Sequence, residues 1–471
     1  MSAAAASSRP ARETTDGTTG TRTRGTLSTS KKMREVHRRA SSSTFGTTTS
    51  APALVDWLSA TIGDASLPSK IRVTDRGRAF GTRGVEAVRD LSPGETLARV
   101  PFGLTLRGES DDDGNDAWSS RMAMEILEEL HASTSTSTST SSTSAYDRSV
   151  WLSSLPRPAP ETPPLDFSDE ELAMIEDEDV VAEARAVRAV HERACETFAD
   201  RLAAIGATME DLRWATSAVH SRVFARRDEA TGKTTRILVP GVDMCNHGGP
   251  DGYNAIVRIV TSPETCQGLS ATEEIADVSA RDADAEEKFF ELVVDPDGQG
   301  IEAGDEILIS YSNTFPNEPF LLYFGFVPSN NPNDAFALFR GGVDDLITHC
   351  RDVLNLDVSD DQIDAIRAIF DTKNESSSKP ISCTIDSVDA TLIEACERIL
   401  NVPWIDVVGS RARNVLTSGQ VFSTKIREDI AILDDPTVSE RVKLAVRYRL
   451  NKKSILIAPL GQSLDQYYIQ K

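Results

Sequence analysis

The spacing of apolar positions changes several times along this chain. Leu54, Trp57, Leu58 and Ile62 recur at helical spacing, which predicts a short helix over 51–62 that Gly63 ends. From Ile71 to Leu106 the text turns to short β-branched and apolar pieces broken by Gly and Pro, the pattern of short strands and turns; Leu97 to Pro101 is one such strand. Residues 118–220 read as mostly helical, with Val180, Ala184, Val187 and His191 on one face. Strand-like runs return at 237–239, 255–260, 289–294 and 306–309. Past about Arg340 the helical period resumes. Val343, Leu346, Ile347, Cys350, Val353 and Leu354 make one apolar stripe, and Ile363, Ile366, Ile369 and Phe370 another.

Three stretches break this order. The Ser/Thr tract 133–144 offers nothing to pack and predicts a disordered surface loop. Residues 262–288 form an acidic, poorly patterned insertion. The first 50 residues hold nine Lys or Arg against only Glu13, Asp16 and Glu35, and are rich in Ser, Thr and Ala. With no apolar core, that leader reads as an organelle transit peptide of chloroplast type rather than a secretory signal. The alternative is an ordinary tail, or a start at Met33, on a cytoplasmic protein.

A chain of 471 residues has room for two or three domains and a sizeable core. Its net charge of −23 argues against nucleic acid, where affinity comes from neutralising phosphates, and suits a partner that presents basic groups. Six Cys show no paired C-x-x-C and no His cluster at metal spacing, so no metal site is expected and a reducing compartment fits. No run of about 18 apolar residues exists, so no membrane span is expected.

The candidate chemistry lies in four segments: Gly81 to Leu91 running on to Gly94, Glu95 and Pro101; Val242 to His247; Asp305 to Tyr311; and Phe324 to Val327. Taken singly, each is bland. Asn246-His247 before Gly-Gly-Pro reads as a turn. Tyr311 shares a strand face with Ile307 and Ile309, and alone it reads as a core tyrosine with its hydroxyl satisfied locally. Arg222 and Arg226, four apart, read as a solvated helix face.

In this order and spacing, however, the segments resemble the SET-domain methyltransferases, specifically the plant Rubisco large-subunit methyltransferase family. The resemblance covers about 51–460. It implies an α+β fold of short strands, in which the 242–247 segment is threaded through a loop made by the later segment as a pseudo-knot. It further implies a helical insertion at about 118–220 and an all-helical C-terminal substrate-binding domain. The expected division is a leader 1–50, a SET domain 51–339 and a helical domain 340–471. The implied activity is methyl transfer from S-adenosylmethionine to a lysine of a protein substrate, with Rubisco large subunit and fructose-bisphosphate aldolase as the family's plant substrates. The expected protein is a monomer. Carried over position by position, Tyr311 is catalytic. Gly81, Thr82, Arg83, Arg222, Asn246, His247, Phe324 and Phe326 are cofactor-binding candidates, and Arg226, Asp243 and Tyr253 are substrate-binding candidates.

The chain departs from the family at three places. Ser312 follows Tyr311 where Gly is usual. The opening motif keeps one well-aligned glycine, Gly84. At the last motif Phe324-Gly325-Phe326-Val327 replaces Tyr-Gly-Phe-Val, and Tyr323 lies one residue off register, facing the opposite side if the segment is extended. Losing that tyrosine hydroxyl leaves room for higher methylation states, or for histidine as acceptor, as in the family branch that methylates actin histidine. A catalytically silent SET-fold binding module is the remaining alternative.

Overall fold

The structure is a computed structural model and describes residues 51–74, 83–110, 117–134, 146–156, 167–227, 233–249, 252–260, 288–329, 331–374, 376–464 and 466. The leader, Gly81, Thr82, and nearly all of the Ser/Thr tract and acidic insertion therefore lie outside the described residues.

Helix α1 (Ala51–Ile62) leads into an antiparallel pair, β1 (Ile71–Thr74) and β2 (Gly84–Ala87). Next come β3 (Thr96–Pro101) and β4 (Leu106–Ser110), then two long helices of the insertion, α2 (Trp118–Thr134) and α3 (Glu178–Thr197). The insertion ends with α4 (Met209–Arg222), whose start is fixed by a Thr208–Asp211 capping box and which packs against α2. Strands β5 (Phe224–Arg227) and β6 (Thr234–Leu238) join β4 in a sheet of order β4-β6-β5. The two-residue β7 (Asn246–His247) precedes β8 (Ala255–Val260) and β9 (Phe289–Val294), which with β3 form a sheet of order β3-β9-β8. Within it Glu291 is fully buried between the guanidinium groups of Arg99 and Arg258, bonded at 2.5 and 2.7 Å.

One apolar core runs from Leu54 through Trp151 and Phe290 to Ile309. A second runs from Phe336 to Leu456 and is built from β11 (Ala335–Phe339), α5 (Val343–Asp352), α6 (Asp360–Lys373) and α7 (Trp404–Thr417). Helices α8 (Ile426–Asp434) and α9 (Glu440–Ile457) complete that region. A smaller cluster, including Phe167, Val180, Leu321 and Tyr448, packs the insertion against α9.

Four local expectations need correction. The tail is not all-helical: Ile381 and Cys383 alternate inward in a strand, β12 (Ile381–Thr384), that pairs antiparallel with β11. The strand expected at 306–309 shortens to β10 (Leu308–Ile309), because the Ile307 amide donates to Val85 O at 2.7 Å and Glu306 bridges to Glu86, drawing those residues toward β2. Val353 leaves the apolar stripe and is exposed, since α5 has already ended at Asp352. Ser133 and Thr134 still belong to α2 rather than to a loop.

Candidate active site

Strands β7 and β10 run parallel in register, Leu308 opposite Asn246 and Ile309 opposite His247, the pairing that a pseudo-knot requires. The chain reaches β7 through Gly241, whose φ of +77° is open to glycine at no Cβ cost, and a single 3₁₀ turn, Val242–Met244. It leaves through Gly248, where a Cβ would lie 2.6 Å from Gly252 O, so the loop closes only because both residues lack side chains. Asn254 then extends the pairing with its carboxamide: Nδ2 donates to Glu306 O and Oδ1 accepts from the Leu308 amide, both at 2.8 Å.

The opening, middle and later segments meet at the Asn246 side chain. Its Nδ2 donates to Glu306 Oε1 at 2.7 Å and to Arg83 O at 3.1 Å. A Cβ on Gly84 would sit 2.4 Å from the same Glu306 oxygen, so glycine is needed there for close approach. Arg83 contributes its carbonyl to this junction, while its guanidinium turns away to donate to Ser154 O.

His247 and Tyr311 are locked together. The Tyr311 amide donates to His247 Nδ1 at 3.1 Å, which leaves Nε2 to carry the proton of the neutral ring. Burial lowers the His247 pKa to about 4, so the ring is neutral at physiological pH. The Tyr311 hydroxyl donates to Cys245 O at 2.9 Å, and burial pushes its pKa well above the ordinary phenol value. It stays a protonated phenol. Around this pair stand aromatic rings: Phe320 is 4.7 Å from His247, Phe324 is 5.0 Å from Tyr311, and Phe326 lies 5.8 and 6.1 Å from the two.

Phe320–Phe324 is the last turn of a short helix that starts at Asn317, ended by Gly325 at φ +74°. Tyr323 does face away from Tyr311, but for a different reason from the extended backbone expected: the turn rotates it onto the His220 ring and lets its hydroxyl donate to Glu183 Oε1 at 3.0 Å.

Arg222 braces the approach to β7, donating to Asp243 O at 2.6 Å, and burial lowers its pKa. Asp243 points inward: it is 5% exposed, accepts from Trp151 Nε1 at 3.0 Å through Oδ2, and leaves Oδ1 without a partner. Burial raises its pKa to about 6, against the opposing pull of Arg222 and the Trp151 bond. Tyr253 is half-buried in the loop after Gly252, and Arg226 sits in β5 opposite Thr235, in a different sheet from the β7–β10 pair. No cluster of His, Cys, Asp or Glu among the described residues could hold a metal, and no helix of the described residues is long and apolar enough to cross a membrane.

Sequence reasoning gave no role to Glu306, Asn254, Phe320 or the Cys245 carbonyl. Glu306 carried a signal: an acid inside an otherwise apolar strand run has to be met by a donor.

No protein-family profile matches the chain. Among curated proteins, the actin-histidine N-methyltransferase of Rattus norvegicus is 24% identical over 292 residues, covering 56% of this chain and 42% of that protein. The chloroplastic ribulose-1,5 bisphosphate carboxylase/oxygenase large subunit N-methyltransferase of Nicotiana tabacum is 23% identical over 403 residues, covering 79% and 74%. The chain thus spans less than half the length of the first relative and about three quarters of the second. Among solved structures, the SET domain of LSMT bound to lysine and AdoHcy superposes with a TM-score of 0.52 at 15% identity, over 89% of this chain and 92% of that one. Rubisco LSMT bound to AdoMet superposes with a TM-score of 0.50, also at 15% identity, over 89% and 93%. The chain is a distant relative of these methyltransferases and has their SET-domain fold.

Proposed function

We propose that this protein transfers a methyl group from S-adenosylmethionine to a lysine side chain of a protein substrate. The observation that carries this reading is the junction at β7–β10, where Asn246, His247 and Tyr311 meet beside a wall of phenylalanines. The residues suit the cofactor. With Nδ2 taken by Glu306 and Arg83 O, Asn246 presents Oδ1 without a bond among the described residues, an acceptor for an ammonium group. Aromatic faces attract a sulfonium cation. The cofactor supplies the electrophilic methyl group.

The chain's own residues exclude water and fix a line of attack. A lysine must arrive as the neutral amine, which at pH 7 costs roughly 4.6 kcal/mol from a pKa near 10.4. An apolar wall lowers that cost by disfavouring the ammonium. Neither Tyr311, held protonated, nor His247, held neutral with Nδ1 occupied, is placed as a strong base, so positioning supplies most of the rate. Carbonyls such as that of Cys245, with the Tyr311 hydroxyl, can hold the methyl group through weak C–H···O contacts.

Histidine as acceptor is the second reading. Phe324 supports it, because this ring gives an acceptor amine no hydroxyl, and an imidazole is largely neutral at pH 7 without any assistance. A chloroplast setting, with Rubisco large subunit as a substrate, is supported by the leader's composition and by the tobacco relative.

Radiolabelled methyl transfer from S-adenosylmethionine into stromal and cytosolic extracts, with the labelled residue identified by mass spectrometry, tests the proposal. Labelled lysine supports the first reading and labelled histidine the second. In parallel, calorimetry with S-adenosylhomocysteine should give binding that Asn246→Ala abolishes while the fold survives. No binding by the wild-type protein, or unchanged affinity in the variant, would remove the basis of both readings.

A further inference from the structure

The last turn of α4 reaches both sides of the site without entering it. Arg222 holds the backbone that precedes Asn246. Two residues earlier, the buried His220 stacks on Tyr323, with ring centroids 5.5 Å apart and planes inclined by 24°. His220 is itself fixed by the edge of Trp118 at 5.1 Å and by His191, whose Nε2 lies 3.2 Å from its own. Burial lowers the pKa of both imidazoles, so both are neutral near pH 7 and one donates to the other. The methyl-transfer chemistry uses neither. Tyr323 is anchored at its far end by Glu183 of α3.

Tyr323 belongs to the same short turn as Phe320 and Phe324, whose rings lie 4.7 Å from His247 and 5.0 Å from Tyr311. This helix, which runs only from Asn317 to Phe324, has too few internal bonds to hold its own orientation, so neighbours must set it. We propose that the His220–Tyr323 stack is a positioning contact that sets the separation of Phe324 from Tyr311, and with it the width of the acceptor side of the site. The inference rests on the methyl-transfer reading and extends it: the helical insertion, through α3 and α4, tunes the acceptor side while the cofactor contacts at Asn246 are left alone. Rotating the turn would move Phe324 against Tyr311, and an in-line displacement tolerates little misplacement.

Two variants separate the parts. Tyr323→Leu removes ring and hydroxyl together, whereas Tyr323→Phe keeps the stack and removes only the Glu183 bond. The expected result is a kcat lowered on the order of 10- to 100-fold in the Leu variant, a KM for S-adenosylmethionine within about twofold of wild type, and most of the turnover retained in the Phe variant. Hydrogen exchange over residues 320–326, which needs no activity, should quicken in the Leu variant and stay at wild-type rates in the Phe variant. Unchanged turnover and exchange in Tyr323→Leu would overturn the proposal. So would a Phe variant as impaired as the Leu variant, or a loss that falls equally on cofactor binding. If the wild-type protein transfers no methyl group, the enzymatic reading fails by itself, and exchange alone decides whether the stack holds the turn.

Discussion

Helix α9 buries three cations, Arg449, Lys452 and Lys453, and meets each with carboxylates. Around β7–β10, in contrast, Asp243 and His247 are buried and Tyr311 is partly buried, with no ion pair among the described residues. In the first region Asp429, fully buried, accepts from Arg449 at 2.9 and 2.7 Å and from Lys453 at 2.6 Å. Lys452 donates to Asp334 at 2.6 Å and Glu318 at 2.7 Å; burial pulls its pKa down, but these carboxylates carry it above the ordinary value. Paired charges of this kind join segments distant in the chain, since Arg449 also lies 3.6 Å from Glu176 in the insertion and donates to Met174 O at 2.8 Å. In the second region, desolvation is the largest influence on protonation. His247 stays neutral and Tyr311 stays protonated, which suits a reaction whose nucleophile must also be neutral. The same low polarity that costs stability when charge is unpaired is what the chemistry needs.

Three substitutions sharpen this contrast. Asp429→Ala leaves Arg449 and Lys453 buried with Glu176, at 3.6 and 3.9 Å, as their remaining carboxylate among the described residues, and should cost about 3–5 kcal/mol, read as a fall in urea midpoint. A loss below about 1 kcal/mol would mean that the network adds little to the joint. Next, Tyr311→Phe keeps the ring and removes one hydroxyl. On the proposed chemistry kcat falls on the order of 10²-fold, about 2.7 kcal/mol of barrier, with little change in cofactor affinity. A purely structural tyrosine would lose about 1 kcal/mol of stability and keep its turnover. Measuring kcat and thermal midpoint on one preparation separates these outcomes, and Phe324 supplies no hydroxyl to compensate.

The smallest effect is expected from Asp243→Asn. The folded pKa of Asp243, about 6, lies above the value of 3.8 that it would have unfolded, so the folded state prefers the neutral acid. This group therefore destabilises the protein above pH 6, and the cost fades as pH falls through 6 toward 3.8. Asn keeps an oxygen for Trp151 and removes the charge. Its gain in stability over wild type should be about 1 kcal/mol larger at pH 8 than at pH 5. A pH-independent difference would show that Asp243 is not held in this way. Unchanged substrate KM in the same variant would separate it from the substrate-binding role expected from its motif.

Much of the layout could be read from local pattern, because helices such as α1 and α4 and strands such as β8 and β9 carry their own period. The motif residues Asn246, His247 and Tyr311 were legible as candidates from order and spacing, and the fold brings them together. What could not be read was set by distant partners. Arg222 reads as a solvated helix face and Asp243 as a substrate contact, yet the first is tied to the backbone of residue 243 and the second to Trp151. Glu306 gains its place from Asn246 and Gly84, neither of them near it in sequence. Strand β12 escaped notice because four residues between helices carry too short an alternation to be distinguished from a loop.

The β7–β10 pair also has a consequence for the order in which the molecule is made. Asn246 bonds Glu306, 60 residues ahead, and Arg83 O, 163 residues behind. Contacts of that separation carry a large loop-closure cost and form slowly. During vectorial synthesis the Asn246 side chain therefore emerges from the ribosome without its carboxylate partner, and the proposed cofactor site is incomplete until residues 306–311 have followed. A nascent or truncated chain ending before Tyr311 would hold most of the first apolar core and yet be blind to S-adenosylmethionine. On the proposed assignment, S-adenosylmethionine binds only the finished junction and would act as a late ratchet on folding.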